Sequence, residues 1–206
     1  LVGRSVLYGV IFGCAWTLLH QLDQLLPGWL GLSWTPGAVS ALPFENASAT
    51  SKALAGMGEQ LMTSVRDAVF SLLLLLLARL LFRRPQLAVL AYVALVTVLY
   101  AQNGVDSPLS WVIVGFLIAV TEAVALVRFG LVTFATGVFV SGILETFPIT
   151  LDVTAWYAPT GFSAIAVTVG LATLGLLNAT AIYRPYRDLS TERRTTRSGD
   201  SRHRRA

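Results

Sequence analysis

The chain has 206 residues, of which 55% are hydrophobic and only 13% charged, with a mean hydropathy of +0.68. Soluble domains carry about 25% charged residues, so the composition excludes an ordinary soluble domain and indicates the membrane class. One cysteine, Cys14, excludes an intrachain disulfide and a cysteine-rich zinc site, and the formal net charge of +4 is unevenly spread, with eight of fifteen basic residues in positions 184–206.

Six apolar segments can span a bilayer: 5–22, 65–82, 87–101, 109–127, 129–145 and 160–181. A helix rises about 1.5 Å per residue and a bilayer core is about 30 Å thick, so about 20 residues are needed. The third segment is the shortest and must borrow Gln102 or thin the bilayer locally. Spanning segments must satisfy their own backbone, which predicts helices. The expected fold class is therefore all-α, a polytopic integral membrane bundle over 1–183. Leu1 is not a methionine, which predicts a fragment, a processed product or a cut domain. Arg4 followed by an apolar run has the outline of a signal peptide, but 21–28 lacks a small-residue cleavage pattern, so a retained helix is expected.

Orientation follows from positive charge beside the spans. Arg4, Arg79, Arg83, Arg84, Arg128 and the eight tail arginines fall on one side, thirteen in all, against Lys52 and Arg66 on the other. Both termini are expected in the cytoplasm. Trp29, Trp34, Tyr100, Trp111, Trp156 and Tyr157 fall at the outer boundary, where amphipathic rings prefer to sit. The connection 23–64 reads as a long outer loop, broken by Gly28, Gly31, Pro36, Gly37 and Pro43. Its 51–60 portion could lead helically into the second span, although Gly56 and Gly58 weaken that reading. Arg83, Arg84 and Pro85 form a tight inner turn, and 128–130 makes spans four and five a hairpin. The tail 184–206, arginine-rich and without apolar periodicity, is expected to be disordered. Lipid headgroups are its nearest anion, so tethering to anionic lipid is expected rather than nucleic-acid binding. Phosphate on Ser190, Thr191, Thr195, Thr196, Ser198 or Ser201 would weaken that attraction.

Individual residues offer little chemistry. Gly9 and Gly13 form a Gly-x-x-x-Gly that suits close helix packing, inside this bundle or against another chain. Ala166 with Gly170, and Gly175 with Ala179, invite the same in the last span. Glu122 lies in the fourth span, one and a half turns before Arg128, and is expected near the inner interface with Arg79 at similar depth. An interhelical ion pair, snorkelling, or a proton or ion relay would each account for it. His20, with Asp23 close by, reads as a hydrogen-bonded interfacial residue. Arg66 and Asp67 are adjacent and read as interfacial. There is no Gly-rich phosphate loop, no His-Glu-x-x-His and no nucleophile triad. No catalytic residue, cofactor or metal is expected.

The segment 146–159 is the densest in distinctive side chains. Pro148 and Pro159 disfavour helix before them and bracket a stretch that leaves the membrane and returns. Trp156 and Tyr157 read as outer-boundary anchors, with Asp152 capping the turn or the next helix. The competing reading is a sensor surface built from Asp152 and Trp156.

Arg128, Phe129, Gly130 and Leu131, then Phe139, Val140 and Ser141, then the run from Phe147 to Ala158 form a pattern of turn and loop residues. It resembles the C-terminal multi-pass membrane region of bacterial serine/threonine protein kinases of the acidobacterial type. The likeness is close over 128–158 and loose over 61–174. It implies a bacterial inner-membrane protein serving as membrane anchor and candidate signal-input module of a kinase whose catalytic domain would precede Leu1. Two departures stand out. That family ends in an aromatic-Gly-Phe helix end, where this chain has Leu176 to Thr180 and the arginine tail, and no kinase motif is present. The alternatives are a free-standing helper or transporter subunit with a polar path near Glu122, and an intramembrane enzyme. The first needs a polar cavity reaching Glu122, and the second needs at least two ionisable groups converging there.

Overall fold

The computed structural model describes residues 2–29, 50–102, 108–150 and 152–181. Six α-helices account for nearly all of them: α1 (Val2–Trp29), α2 (Thr50–Leu81), α3 (Pro85–Ala101), α4 (Pro108–Val124), α5 (Leu131–Thr146) and α6 (Ala158–Ala181). No strand occurs among the described residues. Four stretches, Val2–Leu22, Ser51–Leu81, Ser110–Phe129 and Ala158–Thr180, are long and apolar enough to cross a membrane, and Pro85–Ala101 and Leu131–Thr146 are shorter apolar helices.

The expected outer loop 23–64 is corrected by this arrangement. α1 runs on to Trp29, and α2 begins at Thr50, fifteen residues before the expected start of the following span at 65. Gly56 and Gly58 do not break α2. A helical glycine costs about 1 kcal/mol relative to alanine, and packing outweighs that here. Ala53 and Met57 join Ile143, Phe147 and Ala164 in one buried cluster. Along α2 the buried positions are Ala53, Gly56, Ser64, Ala68, Ser71 and Leu75, a stripe of mostly small residues at helical spacing. Leu72, Leu73, Leu76, Leu77, Leu80 and Leu81 point outward. Small residues facing the bundle and leucines facing out is the pattern of helix association in lipid. Residues 30–49, 103–107 and the basic tail lie outside the described residues.

α1 and α5 run parallel and form the tightest seam. A Cβ on Gly9 would lie 2.5 Å from Cβ of Thr136 and 2.7 Å from the Thr133 carbonyl oxygen. One on Gly13 would lie 2.6 Å from the Gly137 carbonyl oxygen and 2.7 Å from Cβ of Val140. The Gly-x-x-x-Gly is thus filled within the chain, so these two glycines offer no free face to another protein. α6 returns antiparallel along α1, with Gly3 against Gly175 and Asn178. Gly175 is used as expected, whereas Gly170 has nothing within 4 Å of its Cβ position.

The turn between α4 and α5 has its own construction. The helix widens into a π-turn over Ala125–Phe129. Gly130 N–H donates back to the Ala125 carbonyl at 3.0 Å, and Gly130 takes φ 89°, which favours glycine. The widened turn presents Phe129 to Tyr8 and Phe12 of α1, with ring centroids 4.7 and 5.5 Å apart. For orientation, the end holding this turn and the Arg83–Arg84 bend is called the hairpin end. The opposite end, where α5 connects to α6, is the cap end.

Candidate functional site: a polar chamber within the bundle

The cap segment begins where α5 stops. Phe147 takes an extended backbone, and its ring is buried against Ala53, Ile143 and Ala164. The Pro148 carbonyl reaches into the space left by Gly161, where any Cβ would collide with it. Asp152 then closes a tight local turn: its Oδ1 accepts from the Thr154 N–H at 2.9 Å and the Thr154 hydroxyl at 2.6 Å. These hydrogen bonds hold the Asp152 carboxyl below the usual carboxylate range. Asp152 caps this turn and not α6, which starts at Ala158 with the Tyr157 carbonyl accepting its first bonds. Trp156 is 63% exposed and meets Tyr157 edge-on at 5.5 Å. Asp152, Trp156 and Tyr157 therefore share one surface turn.

Glu122 and Arg79 are not brought together. Arg79 lies on the outward face of α2 among Leu73, Leu76, Leu77 and Leu80. Glu122 is 8% exposed and faces α3. Its Oε1 accepts from the Tyr100 hydroxyl and its Oε2 from the Tyr92 hydroxyl, each at 3.4 Å. The expected ion pair is absent among the described residues: Arg79 is exposed on the outer face of α2, while Glu122 is buried inside the bundle. Tyr92 and Tyr100 are eight residues apart on one helix, about 12 Å, and the carboxyl lies between them. That places it level with Val96, about 16 Å into α3 and near the middle of the bundle.

The carboxyl opens into a cavity of about 290 Å³ whose wall includes Trp16, His20, Gln60, Asp67, Ser71, Tyr100, Phe134, Ser141 and Glu145. The polar groups gather toward the cap end. His20 Nδ1 lies 2.7 Å from Glu145 Oε1, and the Ser141 hydroxyl donates to the same oxygen at 2.6 Å. His20 thus finds its partner 125 positions away on α5. Arg66 and Asp67 pair with each other at 3.0 Å, with Asp67 on the cavity wall. Gln60 reaches across from α2 to lie on Gly142 of α5.

Toward the hairpin end the chamber is closed by rings. Trp16 donates its indole N–H to the Thr121 hydroxyl at 2.9 Å and packs edge-on against Phe134 at 5.5 Å. Phe12, Phe129 and Tyr8 continue the stack below it. The chamber is therefore blind at the hairpin end and polar at the cap end. Among the described residues no group of three or more His, Cys, Asp or Glu side chains could hold a metal ion.

The sequence reasoning singled out Glu122 but missed Tyr92 and the role of Tyr100. Tyr92 carried a usable signal: a tyrosine halfway along a short apolar helix has no interface to sit in, so its hydroxyl demands a buried partner. Taken together, the fold and the chamber define an all-helical membrane protein with a polar cavity inside its bundle. In comparisons with known proteins, no family model, no curated protein and no solved structure matches the chain.

Proposed function

We propose that the protein is a transporter-type membrane subunit that admits a small polar solute into the chamber and holds it against Glu122. In this reading all six helices cross the bilayer, both termini lie in the cytoplasm, and the cap end faces outward. The thirteen-to-two division of basic residues supports that orientation. The single observation that carries the function is a buried carboxyl near the middle of the bundle, opening into a polar cavity and hydrogen-bonded, among the described residues, by two tyrosine hydroxyls. An ionisable group at this depth is expensive, and its usual use is a path for ions or substrate. Widened helical turns are frequent at functional sites, and the π-turn at Ala125 begins three residues after Glu122.

The test is water access. In a Cys14→Ser background, Ser141→Cys on the chamber wall should react with a hydrophilic thiol reagent added from the cap side. Val140→Cys, facing the α1 seam, should remain unmodified. Equal protection of both positions would sink the proposal.

A second reading, membrane anchor and signal-input module of a serine/threonine kinase, is supported by the likeness over 128–158 and by the well-built turn around Asp152. Its test is the reading frame upstream of Leu1. A kinase domain in frame supports it, and a stop codon immediately upstream overturns it.

A further inference from the structure

The charge inventory around the chamber points to the class of solute, resting on the reading that the chamber is a solute site. Its wall holds three carboxylates, Asp67, Glu122 and Glu145, and no lysine or arginine. Two of the three already have nitrogen partners within the chain: Glu145 has the His20 ring at 2.7 Å, and Asp67 has the Arg66 guanidinium at 3.0 Å. Glu122, the deepest, accepts from two tyrosine hydroxyls, and the His20 ring on the same wall is already engaged by Glu145. A carboxylate offers about four lone-pair sites, and two are occupied, one on each oxygen. The remaining capacity faces the cavity.

The geometry points to a small organic ammonium ion, its charge set against Glu122 and its alkyl groups against the aromatic wall. We infer this class for three reasons that act together. A buried carboxylate repels anions and gains more from a cationic N–H donor than from another neutral hydroxyl of the kind it already holds. Trp16, Tyr100 and Phe134 line the same space, and aromatic faces attract ammonium groups within about 6 Å. A divalent metal would need several converging oxygen or nitrogen ligands, and the described residues provide no such group. At about 290 Å³ the space is just below the range of typical ligand sites, about 300 Å³ upward, which favours a compact ion. His20 and Glu145 stand at the mouth, where the pair is one-third exposed and able to meet the incoming ion first.

The full chain in lipid nanodiscs would be titrated calorimetrically with methylammonium and tetramethylammonium chloride, with tert-butanol as the neutral counterpart and sodium acetate as the anion. The same compounds would be tested for protection of Ser141→Cys from the hydrophilic thiol reagent. At least one ammonium ion should bind and protect, while tert-butanol and acetate should do neither. Glu122→Gln, which keeps the side-chain shape, should weaken ammonium binding on the order of tenfold or more with the melting temperature retained. Binding of tert-butanol or acetate as tight as that of the ammonium ions, or an undiminished affinity in Glu122→Gln, would overturn the solute class while leaving the chamber reading intact. Absence of ammonium binding with Ser141→Cys still reactive would do the same. If Ser141→Cys were inert to the reagent, both readings would fall together.

Discussion

The α1–α5 seam and the chamber beside it share two helices and follow opposite rules. At the seam, Gly9, Gly13 and Gly137 let backbones touch, and no room remains for even a methyl group. A few residues further along, Trp16, His20, Ser141 and Glu145 of these helices turn toward a cavity of about 290 Å³. In lipid, helices associate through close packing and interhelical hydrogen bonds and gain little from burying apolar surface. The seam uses the first of these, and the chamber sacrifices packing density to hold polar groups. The difference teaches that tight packing and polar lining are divided along the length of one helix pair: the tight half fixes the position of the open half.

Three perturbations would sharpen or break that division. The largest effect is expected at the seam. Gly13→Leu should destabilise by about 3 kcal/mol, the top of the usual overpacking range, measured by denaturant unfolding in bicelles. Gly58→Ala, on α2 where nothing lies within 4 Å of the added methyl, should instead stabilise by about 1 kcal/mol. Similar effects at the two glycines would erase the distinction between seam and open face.

The next effect is in the chamber. Glu122→Ala leaves the Tyr92 and Tyr100 hydroxyls without their carboxylate acceptor and should cost about 2 kcal/mol. Glu122→Gln keeps an acceptor and should fall within about 1 kcal/mol of the parent. A larger loss for the glutamine variant would mean that the carboxylate serves the fold and not a solute.

The smallest effect belongs to the cap. Asp152 is fully exposed, and its carboxyl is held below the ordinary range by Thr154. A depressed carboxylate contributes order that is present above its unfolded value, about pH 3.9, and that fades as pH falls through the lower folded value. Cleavage of 150–157 by an acid-tolerant protease should therefore rise only at the acid end of that window. In Asp152→Ala it should be raised at all pH values. A pH-independent pattern in the parent would remove the carboxylate from the turn.

Much of the architecture was legible beforehand because lipid imposes a coarse rule: a helix must be long and apolar to cross. The helices overlap every apolar segment recognised in the sequence, and the cap between Phe147 and Tyr157 lies where Pro148 and Pro159 required a break. The start of α2 was obscured because Gly56 and Gly58 argue against helix locally, while the contacts of Ala53 and Met57 with α5 and α6 are not local. At the site, Glu122 was conspicuous as an isolated acid, but its partners were not. Arg79 was the nearest opposite charge in a one-dimensional count of depth. The rotation of α2, which follows its stripe of small residues, turns Arg79 outward.

Taken alone, the sequence determines the membrane class, the run of apolar helices and the place of the cap, because each follows from chain-local length, composition or backbone restriction. Only the tertiary structure decided that Gly9 and Gly13 close on α5, that His20 meets Glu145, and that Tyr92 and Tyr100 enclose Glu122. Those outcomes depend on the rotation of each helix about its own axis. The periodicity of an all-apolar helix cannot encode that rotation, which is set by small side chains finding one another across the bundle.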